Sequence, residues 1–261
     1  MPLLDGKVAI ITGGTSGVGY TAAEIFAKEG AKVVIVGRRR EPGEEAQTKL
    51  RAMGHEVLFV SADISVEADV QRMVTATLEA HGKIDVAFLN SGVSSSGASI
   101  VDMTEEDFTS CLNNNLKGPF LCLKHLIPHL TAPGGTVVLT SSIASLSGTP
   151  NRAAYASAKA GLNMLARAAA MEVAPSGVRV NVVCPAGILT PMAMAYAERV
   201  AHRYGGVEEA LAASHALHPL GRMATPKDIA DVALFLASDA SRMMTGQIVS
   251  VDGGMSAGSI G

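Results

Sequence analysis

The sequence predicts a doubly wound α/β/α fold, in which helices cover both faces of a seven-stranded parallel sheet. Short apolar, β-branched runs alternate with longer segments of helical periodicity along the whole chain. Strands that are apolar throughout are typical of parallel sheets buried on both faces. No linker-like or low-complexity stretch interrupts the alternation. We therefore expect one domain over residues 1–261.

Seven strands and six helices follow in order. The predicted strands are Val8–Thr12, Lys32–Val36, Glu56–Ser61, Asp85–Leu89, Thr136–Thr140, Val178–Val183 and Gln247–Val251. The predicted helices cover residues 18–29, 41–53, 66–81, 104–131, 153–174 and 226–237.

Segment 191–220 breaks this alternation with two short helical stretches parted by Gly205 and Gly206. An insertion at this point lies near the carboxyl ends of the strands, where open α/β sheets bind ligands. We expect a small, mobile helical cover over a site. A decorative helical pair is the alternative.

Composition bears on the partners to expect. Hydrophobic residues make up 48% and charged residues 17% of the chain, which is typical of a compact globular protein. The formal charge of -3 and the absence of tryptophan argue against nucleic acid and anionic membranes as partners. No signal peptide or membrane span is visible, so we expect a cytoplasmic protein. Cys111, Cys122 and Cys184 lack metal-ligand spacing, and we expect buried thiols and no metal site.

A glycine-rich turn follows the first strand. Residues 12–19 read TGGTSGVG and lead into a helix. Gly13, Gly17 and Gly19 permit a tight turn and close backbone approach, and the free amides at the helix start suit a pyrophosphate. An ordinary turn is the alternative, but the position in the first strand–helix unit favours a dinucleotide site.

Three arginines, Arg38, Arg39 and Arg40, follow Gly37 at the end of the second strand. An acidic residue near this point would hold the adenosine ribose hydroxyls, whereas a guanidinium pairs with a 2′-phosphate. Helix N-termini disfavour cations, which argues against the alternative of a merely solvated basic loop. We predict NADP(H) in preference to NAD(H), with Arg38 as the main phosphate ligand.

Tyr155 and Lys159 are four residues apart in a predicted helix, so their side chains share one face. An ammonium beside a phenol favours the phenolate, whose unperturbed pKa is about 10. Ser142 lies at a predicted strand end and reaches the same point only if the intervening loop folds back. The three residues form a candidate proton-transfer site, although the Tyr–Lys spacing also occurs by chance on solvated helices.

Taken together, these motifs resemble the short-chain dehydrogenase/reductase family of the single-domain type, over essentially the whole chain. The residues that carry the resemblance are Thr12–Gly19, Asp63, Asn90–Gly92, Asn115, Ser142, Tyr155, Lys159, Thr245–Gly246 and Val251–Gly254. The resemblance implies a Rossmann-type fold and hydride transfer between NADP(H) and a carbonyl or alcohol. NAD(H) is the alternative cofactor.

The resemblance also implies a catalytic set of Asn115, Ser142, Tyr155 and Lys159. Tyr155 would be the general acid in reduction and the general base in oxidation. Lys159 would lower the pKa of Tyr155 and bind the nicotinamide ribose, and Ser142 would hydrogen-bond the substrate oxygen. Asn115 would keep open a water-linked proton path near Lys159, unless it is a polar helix residue facing solvent.

The implied cofactor contacts lie in the loops that follow the strands. They are Gly13, Thr15, Ser16, Gly17, Val18, Gly19, Arg38, Arg39, Asp63, Ile64, Asn90, Ser91, Gly92, Tyr155, Lys159, Pro185, Ala186, Ile188 and Thr190. Asp63 would accept from the adenine amino group, with a role as a helix N-cap as the alternative. Asn90 would hold the central sheet and the cofactor edge.

Three positions depart from the family pattern. Ser91 replaces an alanine and should be tolerated. Ala186 moves a glycine one position later, which could shift the nicotinamide ring. Ser16 stands where NADP-preferring relatives often have a basic residue, which leaves Arg38 as the main evidence for the phosphate.

The substrate is less defined by the sequence. The cover segment has no arginine cluster, and we expect an uncharged or weakly charged carbonyl or alcohol, such as a 3-oxoacyl group, a ketone or a sugar. His202, Arg203 and His215 should occupy exposed helical positions, with positions that face the site as the alternative. The alternative functions are an NAD-dependent dehydrogenase of sugars or polyols and a catalytically idle dinucleotide-binding sensor or scaffold.

For the assembly we expect a homotetramer, or at least a homodimer, that pairs the helices over 104–131 and 153–174. The small side chains of Ala166–Ala170 would permit close helix approach.

Overall fold

A parallel sheet forms the centre of the computed structural model, which describes residues 2–131 and 133–258 without the side chain of Met192. Seven strands are present in these residues, in the order β3-β2-β1-β4-β5-β6-β7. They are β1 (Val8–Thr12), β2 (Lys32–Gly37), β3 (Val57–Ser61), β4 (Val86–Leu89), β5 (Thr136–Thr140), β6 (Arg179–Pro185) and β7 (Ile248–Val251). The predicted doubly wound sheet is confirmed. The strand order reverses between β1 and β4, which places a crevice at their carboxyl ends.

Helices cover both faces of the sheet. They are α1 (Gly17–Lys28), α2 (Arg40–Ala52), α3 (Glu67–His81), α4 (Glu105–Leu112), α5 (Gly118–Leu126), α6 (Ala153–Val173), α7 (Pro191–Val200), α8 (Val207–Ala216) and α9 (Pro226–Ala237). Helices α1, α2 and α9 enclose one hydrophobic core against the sheet, and α3, α5 and α6 enclose the other. Strand β1 is buried along its whole length, as expected of a strand between two cores.

The single helix predicted over residues 104–131 is wrong. Helix α4 runs into a π-helical turn over Asn113–Lys117, and α5 begins at Gly118. Pro119 has no N–H with which to continue the α-helical ladder, and the wider turn lets the chain pass this point. Pro128 then lies in a short 3₁₀ turn, Ile127–His129, that ends the helical run.

The predicted cover is confirmed as two helices, α7 and α8, with Gly205 in a left-handed conformation between them. A small apolar cluster of Ala197, Val200 and Ala210 joins the pair. Such a cluster is far smaller than the two sheet cores. The cover therefore depends on few apolar contacts of its own.

The three cover residues that the sequence predicts at exposed helical positions have different surroundings. His202 and Arg203 are exposed as expected, whereas His215 is half-buried and accepts a hydrogen bond from the backbone N–H of Met223 at 3.0 Å.

The alanine run of α6 faces mainly into the protein. Ala166, Ala169 and Ala170 are buried in the core beneath the helix, whereas Ala168 is exposed. The expectation that Ala166–Ala170 offers a close-packing surface to a partner helix is therefore wrong for most of the run.

None of the helices in the described residues is both long and apolar enough to span a membrane.

Candidate active site

The turn between β1 and α1 requires glycine at three of its positions. Gly13 and Gly17 have positive φ values of 68° and 53°. A Cβ atom at Gly19 would lie 2.2 Å from the carbonyl oxygen of Gly13, which is far inside contact distance. Within the described part of the chain, the Ser16 side chain caps no backbone N–H, and the first turn of α1 holds no acidic residue. The N-terminus of α1 is thus available to an anion.

Asn90 joins the three central strands beside this turn. Its backbone N–H donates to Thr12 Oγ1 at 3.0 Å, and its side-chain amide donates to the Thr12 carbonyl at 3.4 Å. Thr140, at the end of β5, donates to Asn90 Oδ1 at 3.2 Å. The carboxyl ends of β1, β4 and β5 are therefore fixed relative to one another.

A cavity of about 250 Å³ lies at this edge of the sheet. It brings together residues from the loops after β1, β2, β3 and β4: Gly13, Thr15, Gly37, Arg38, Arg39, Ala62, Asp63, Ile64, Ser91, Gly92, Val93 and Asn114. Eight of these residues are predicted cofactor contacts. A larger but open depression of about 670 Å³ lies along α4 and contains none of the predicted catalytic side chains.

Arg38 and Asp63 face each other across one end of this cavity. Their nearest side-chain N and O atoms are 3.7 Å apart, and Asp63 also accepts hydrogen bonds from Ser65, from its N–H at 2.9 Å and its hydroxyl at 2.7 Å. Burial acts to raise the pKa of Asp63, but the Ser65 hydrogen bonds and the Arg38 charge together lower it. Val66 is the N-cap of α3, so the alternative that Asp63 caps this helix is wrong.

Ser142, Tyr155 and Lys159 meet at the carboxyl end of β5. The loop after β5 folds back, and Ser142 starts a 3₁₀ turn over Ile143–Ser145 by accepting from the Ala144 N–H at 3.3 Å. Tyr155 and Lys159 follow on the first two turns of α6. Lys159 is 3% exposed, and its ammonium donates to the Thr140 carbonyl at 2.8 Å. The same ammonium lies 5.7 Å from the centre of the Tyr155 ring.

Burial shifts the pKa values of both groups toward their uncharged forms. It raises the pKa of Tyr155, against which a hydrogen bond with Ser142 and the charge of Arg152 act in the opposite direction. The Tyr155 ring keeps partial solvent exposure, so this effect belongs to its more deeply placed hydroxyl. Burial also lowers the pKa of Lys159 to about 8. The expectation that Lys159 brings the pKa of Tyr155 below its ordinary value is therefore wrong, because desolvation dominates.

Asn115 is fully buried in the π-helical turn, so the alternative that it faces solvent is wrong. Its side-chain amide donates to the carbonyls of Cys111 at 2.9 Å and Val93 at 3.0 Å. Its Oδ1 accepts from the Val93 N–H at 3.2 Å. A Cβ atom at Gly92 would lie 2.8 Å from this oxygen and 3.5 Å from the Lys159 ammonium. Asn115 thus connects the loop after β4 with the surroundings of Lys159.

The loop after β6 begins at Ala186, directly after Pro185 ends the strand, and backbone and side-chain hydrogen bonds hold it in place. Ile188 forms an isolated parallel bridge with Ala224, in which the Leu189 N–H donates to the Ala224 carbonyl at 2.8 Å and the Ala224 N–H donates to the Gly187 carbonyl at 3.0 Å. Thr190 Oγ1 caps α7 by accepting from the Ala193 N–H at 3.4 Å.

Close packing explains the glycine at position 187. A Cβ atom there would lie 3.1 Å from the end of Met223 and 3.2 Å from the His218 ring. A Cβ atom at Gly17 would lie 3.6 Å from Thr190, so the loop also reaches the glycine turn.

Several residues next to the site are not part of the sequence motifs described above. Arg152, three residues before Tyr155, places its guanidinium 5.9 Å from the centre of the Tyr155 ring. Spacing alone could have identified this neighbour, because residues three apart share a helix face. Cys111 and Cys184 are buried free thiols whose pKa values are raised by burial. Among the described residues, no group of three or more His, Cys, Asp or Glu side chains could hold a metal ion.

Fold and site together define a dinucleotide-dependent oxidoreductase. A family model described as enoyl-(acyl carrier protein) reductase matches residues 13–256. The chain is 36% identical to the uncharacterized oxidoreductase YxbG of Bacillus subtilis, over 98% of this chain and 93% of that protein. It is 38% identical to the 3-oxoacyl-acyl-carrier-protein reductase FabG of Chlamydia trachomatis, over 97% of this chain and 98% of that protein.

Among solved structures, the chain resembles that of levodione reductase. The TM-score is 0.92 and the identity 32%, over 98% of this chain and 100% of the other. The chain therefore belongs to the short-chain dehydrogenase/reductase family, whose members are oxidoreductases that use NAD(P).

Proposed function

We propose that this protein transfers a hydride between NADP(H) and a carbonyl or alcohol substrate, with Tyr155 as the general acid and base. The observation that carries the proposal is the meeting of Ser142, Tyr155 and Lys159 beside the cavity at the strand ends. Ketones, sugars and 3-oxoacyl groups belong to the substrate class, and a relative from Chlamydia trachomatis is named for the last of these. One domain over residues 1–261 performs the reaction.

The proton chemistry follows from the surroundings of Tyr155. Because burial raises its pKa, the hydroxyl is protonated at neutral pH and can donate to the oxygen of a carbonyl as that carbonyl is reduced. Ser142 lies beside the same hydroxyl and donates a second hydrogen bond to the substrate oxygen as negative charge develops. In the direction of oxidation Tyr155 must first lose its proton, which favours that direction at high pH.

Lys159 and Asn115 maintain the site around this proton transfer. One proton of the Lys159 ammonium is committed to the Thr140 carbonyl, which leaves two N–H donors for the hydroxyls of a ribose. Asn115 fixes Val93 and so the position of the loop after β4. When bound, the nicotinamide supplies or accepts the hydride, and the protein residues orient the reactants and move the proton.

The cavity fits the adenosine half of a dinucleotide and favours its 2′-phosphorylated form. Arg38 and Arg39 line the cavity next to Gly37, where an acidic residue would favour unphosphorylated ribose. Guanidinium groups bind phosphate through charge-assisted, bidentate hydrogen bonds. The Arg38 side chain is already oriented toward the cavity by Asp63.

Turnover of a panel of ketones and alcohols tests the catalytic proposal, with NADP(H) and NAD(H) assayed in parallel. We expect turnover with NADP(H) and a fall of about 10²- to 10⁴-fold in kcat for Tyr155→Phe, because the proton donor is lost. The matched control is Tyr204→Phe, at an exposed position in the cover. Full activity of Tyr155→Phe would contradict the mechanism. Binding of NADPH without any turnover would favour the idle dinucleotide-binding alternative.

Cofactor preference is tested with Arg38→Ala. We expect this variant to weaken NADPH binding about 10- to 100-fold while NADH binding changes little, since only NADPH carries the 2′-phosphate. Arg40→Ala is the control, because Arg40 is exposed and pairs with Glu44. Equal losses for both cofactors would contradict the assignment and favour an NAD-dependent dehydrogenase.

For the assembly we propose a homotetramer. Apolar side chains on α4, α5 and α6 are exposed in the single chain: Phe108, Phe120, Met164 and Met171. A partner that covers this surface would remove it from water. Sedimentation of the purified protein as a monomer would contradict this proposal.

A further inference from the structure

Arginine and tyrosine side chains form a stack that leads away from the candidate catalytic tyrosine. The Arg152 guanidinium lies 5.9 Å from the centre of the Tyr155 ring and 5.4 Å from the centre of the Tyr196 ring. The Arg199 guanidinium lies 5.3 Å from the centre of the Tyr196 ring. Two guanidinium groups thus contact Tyr196, and one of them also contacts Tyr155.

The stack joins three parts of the protein. Arg152 is the residue before the first turn of α6, and Tyr196 and Arg199 lie one turn apart on cover helix α7. Arg199 donates to the Ser96 carbonyl at 3.2 Å, and a Cβ atom at Gly97 would lie 3.6 Å from the same guanidinium. The positive groups are therefore held where the cover meets both the loop after β4 and the catalytic helix.

Neither guanidinium is paired with a carboxylate in the part of the chain that the structure describes. No carboxylate in residues 2–131 and 133–258 forms an ion pair with Arg152 or Arg199. Arg152 is also the N-cap residue of α6, where the helix dipole disfavours a cation. The dipole of α6 acts against the charge of Arg152, whereas a bound anion would pair with that charge.

We propose that Arg152, assisted by Arg199, binds a carboxylate of the substrate, so that the protein acts on oxo acids and the corresponding hydroxy acids. The proposal rests on the proposed function, since the reacting oxygen must lie at Tyr155. In reduction the carbonyl carbon would gain a hydride from NADPH, which is oxidised to NADP⁺, and the carbonyl oxygen would gain the Tyr155 proton, while the carboxylate is unchanged. The expected substrate therefore carries a full negative charge, which differs from the uncharged or weakly charged compound that the sequence predicts.

The position of Arg152 favours a small carboxylate over an acidic carrier protein. Arg152 is half-buried and packs on the ring of the catalytic tyrosine, whereas a carrier protein would contact only the outer surface. A planar guanidinium binds carboxylate oxygens in a bidentate manner, and the guanidinium of Arg152 lies 5.9 Å and 5.4 Å from the centres of two aromatic rings.

Matched substrate pairs test this inference with the full-length protein and NADPH. Each pair is an oxo acid and its methyl ester, and a 3-oxoacyl thioester on an acidic carrier protein forms the third arm. We expect wild type to prefer the acid. In Arg152→Met the ratio of kcat/KM for acid over ester should fall about 10- to 100-fold, the loss expected for a charged hydrogen bond.

Two further variants sharpen the readout. Arg152→Lys should recover part of the preference for the acid, because it restores the charge without the planar donor pair. Arg167→Met, at an exposed position of the same helix, should leave the ratio unchanged. Thermal unfolding of each variant shows whether the fold is intact.

The outcomes separate this inference from the proposed function. Turnover of neutral ketones or of the carrier-bound substrate with no preference for free acids would refute the carboxylate site and leave the oxidoreductase proposal intact. An equal loss of kcat/KM for acid and ester in Arg152→Met would mean that Arg152 acts only through Tyr155. That result would also refute the carboxylate site. Failure of wild type to turn over any compound would refute both proposals.

Discussion

Replacement of Lys159 by methionine tests how much the buried lysine charge destabilises the folded protein. Lys159 is 3% exposed, and burial lowers its pKa from 10.5 to about 8. One pKa unit corresponds to about 1.4 kcal/mol, so the charged ammonium costs the folded state about 3 kcal/mol at neutral pH. Lys159→Met removes this cost, together with the hydrogen bond to the Thr140 carbonyl.

The cost of the buried charge and the loss of the hydrogen bond are distinguished by their dependence on pH. The pKa of Lys159 is lower in the folded than in the unfolded chain, so between about pH 8 and pH 10.5 the unfolded chain binds more protons. The free energy of unfolding of wild type therefore rises with pH in this window. Relative to Lys159→Met, wild type should gain about 2 kcal/mol between pH 7 and pH 9.5. The lost hydrogen bond changes the difference in unfolding free energy between the two proteins by the same amount at every pH.

Urea unfolding at fixed protein concentration, at several values of pH from 7 to 9.5, measures this difference. The buried thiols and Tyr155 are common to both proteins and largely cancel. Lys117→Met, at an exposed lysine, serves as the control and should differ from wild type by the same amount throughout. A difference between wild type and Lys159→Met that is constant with pH would refute the reasoning.

Two further predictions concern stability. Gly19→Ala should destabilise the fold by about 1–3 kcal/mol and weaken cofactor binding, because its Cβ would lie 2.2 Å from the Gly13 carbonyl; urea unfolding and cofactor titration measure both effects. Gly148→Ala, where a Cβ meets nothing within 4 Å, is the control and should be nearly neutral. Arg179→Met should cost about 3 kcal/mol, because the buried guanidinium donates to three backbone carbonyls and a hydroxyl in the turn before β7. Urea unfolding with exposed Arg242→Met as control checks this, and equal stability of the two variants would contradict it.

The sheet could be predicted from the sequence because its strands are short, apolar and buried on both faces. Each of the seven strands lies within two residues of its predicted limits. The convergence of the glycine turn with Ser142 and Tyr155 follows from the same pattern, since the carboxyl ends of parallel strands share one edge.

The π-helical turn could not be predicted from periodicity. Asn113–Lys117 continues the helical pattern on either side, and its wider winding depends on Pro119 and on the bonds between Asn115 and Val93. Those bonds join residues that are 22 positions apart. A contact between residues so far apart in the chain produces no pattern in the local sequence.

The pKa shifts and the arginine stack could not be predicted from the sequence for a related reason. A lysine four residues from a tyrosine indicates proximity, but the depth of the pair decides whether charge or desolvation prevails. Arg152 and Tyr196 lie in different elements, and their contact requires the cover to fold over the start of α6.

The bridge between Ile188 and Ala224 has a consequence for how this protein can diversify. It brings together the two ends of the segment that contains both cover helices, so that the segment leaves and rejoins the body of the protein at one place. The entropy of closing a loop grows only slowly with its length, so insertions or exchanges between these ends cost little stability. The length of this segment can therefore vary between relatives while the residues of α6, including Tyr155 and Lys159, stay in place.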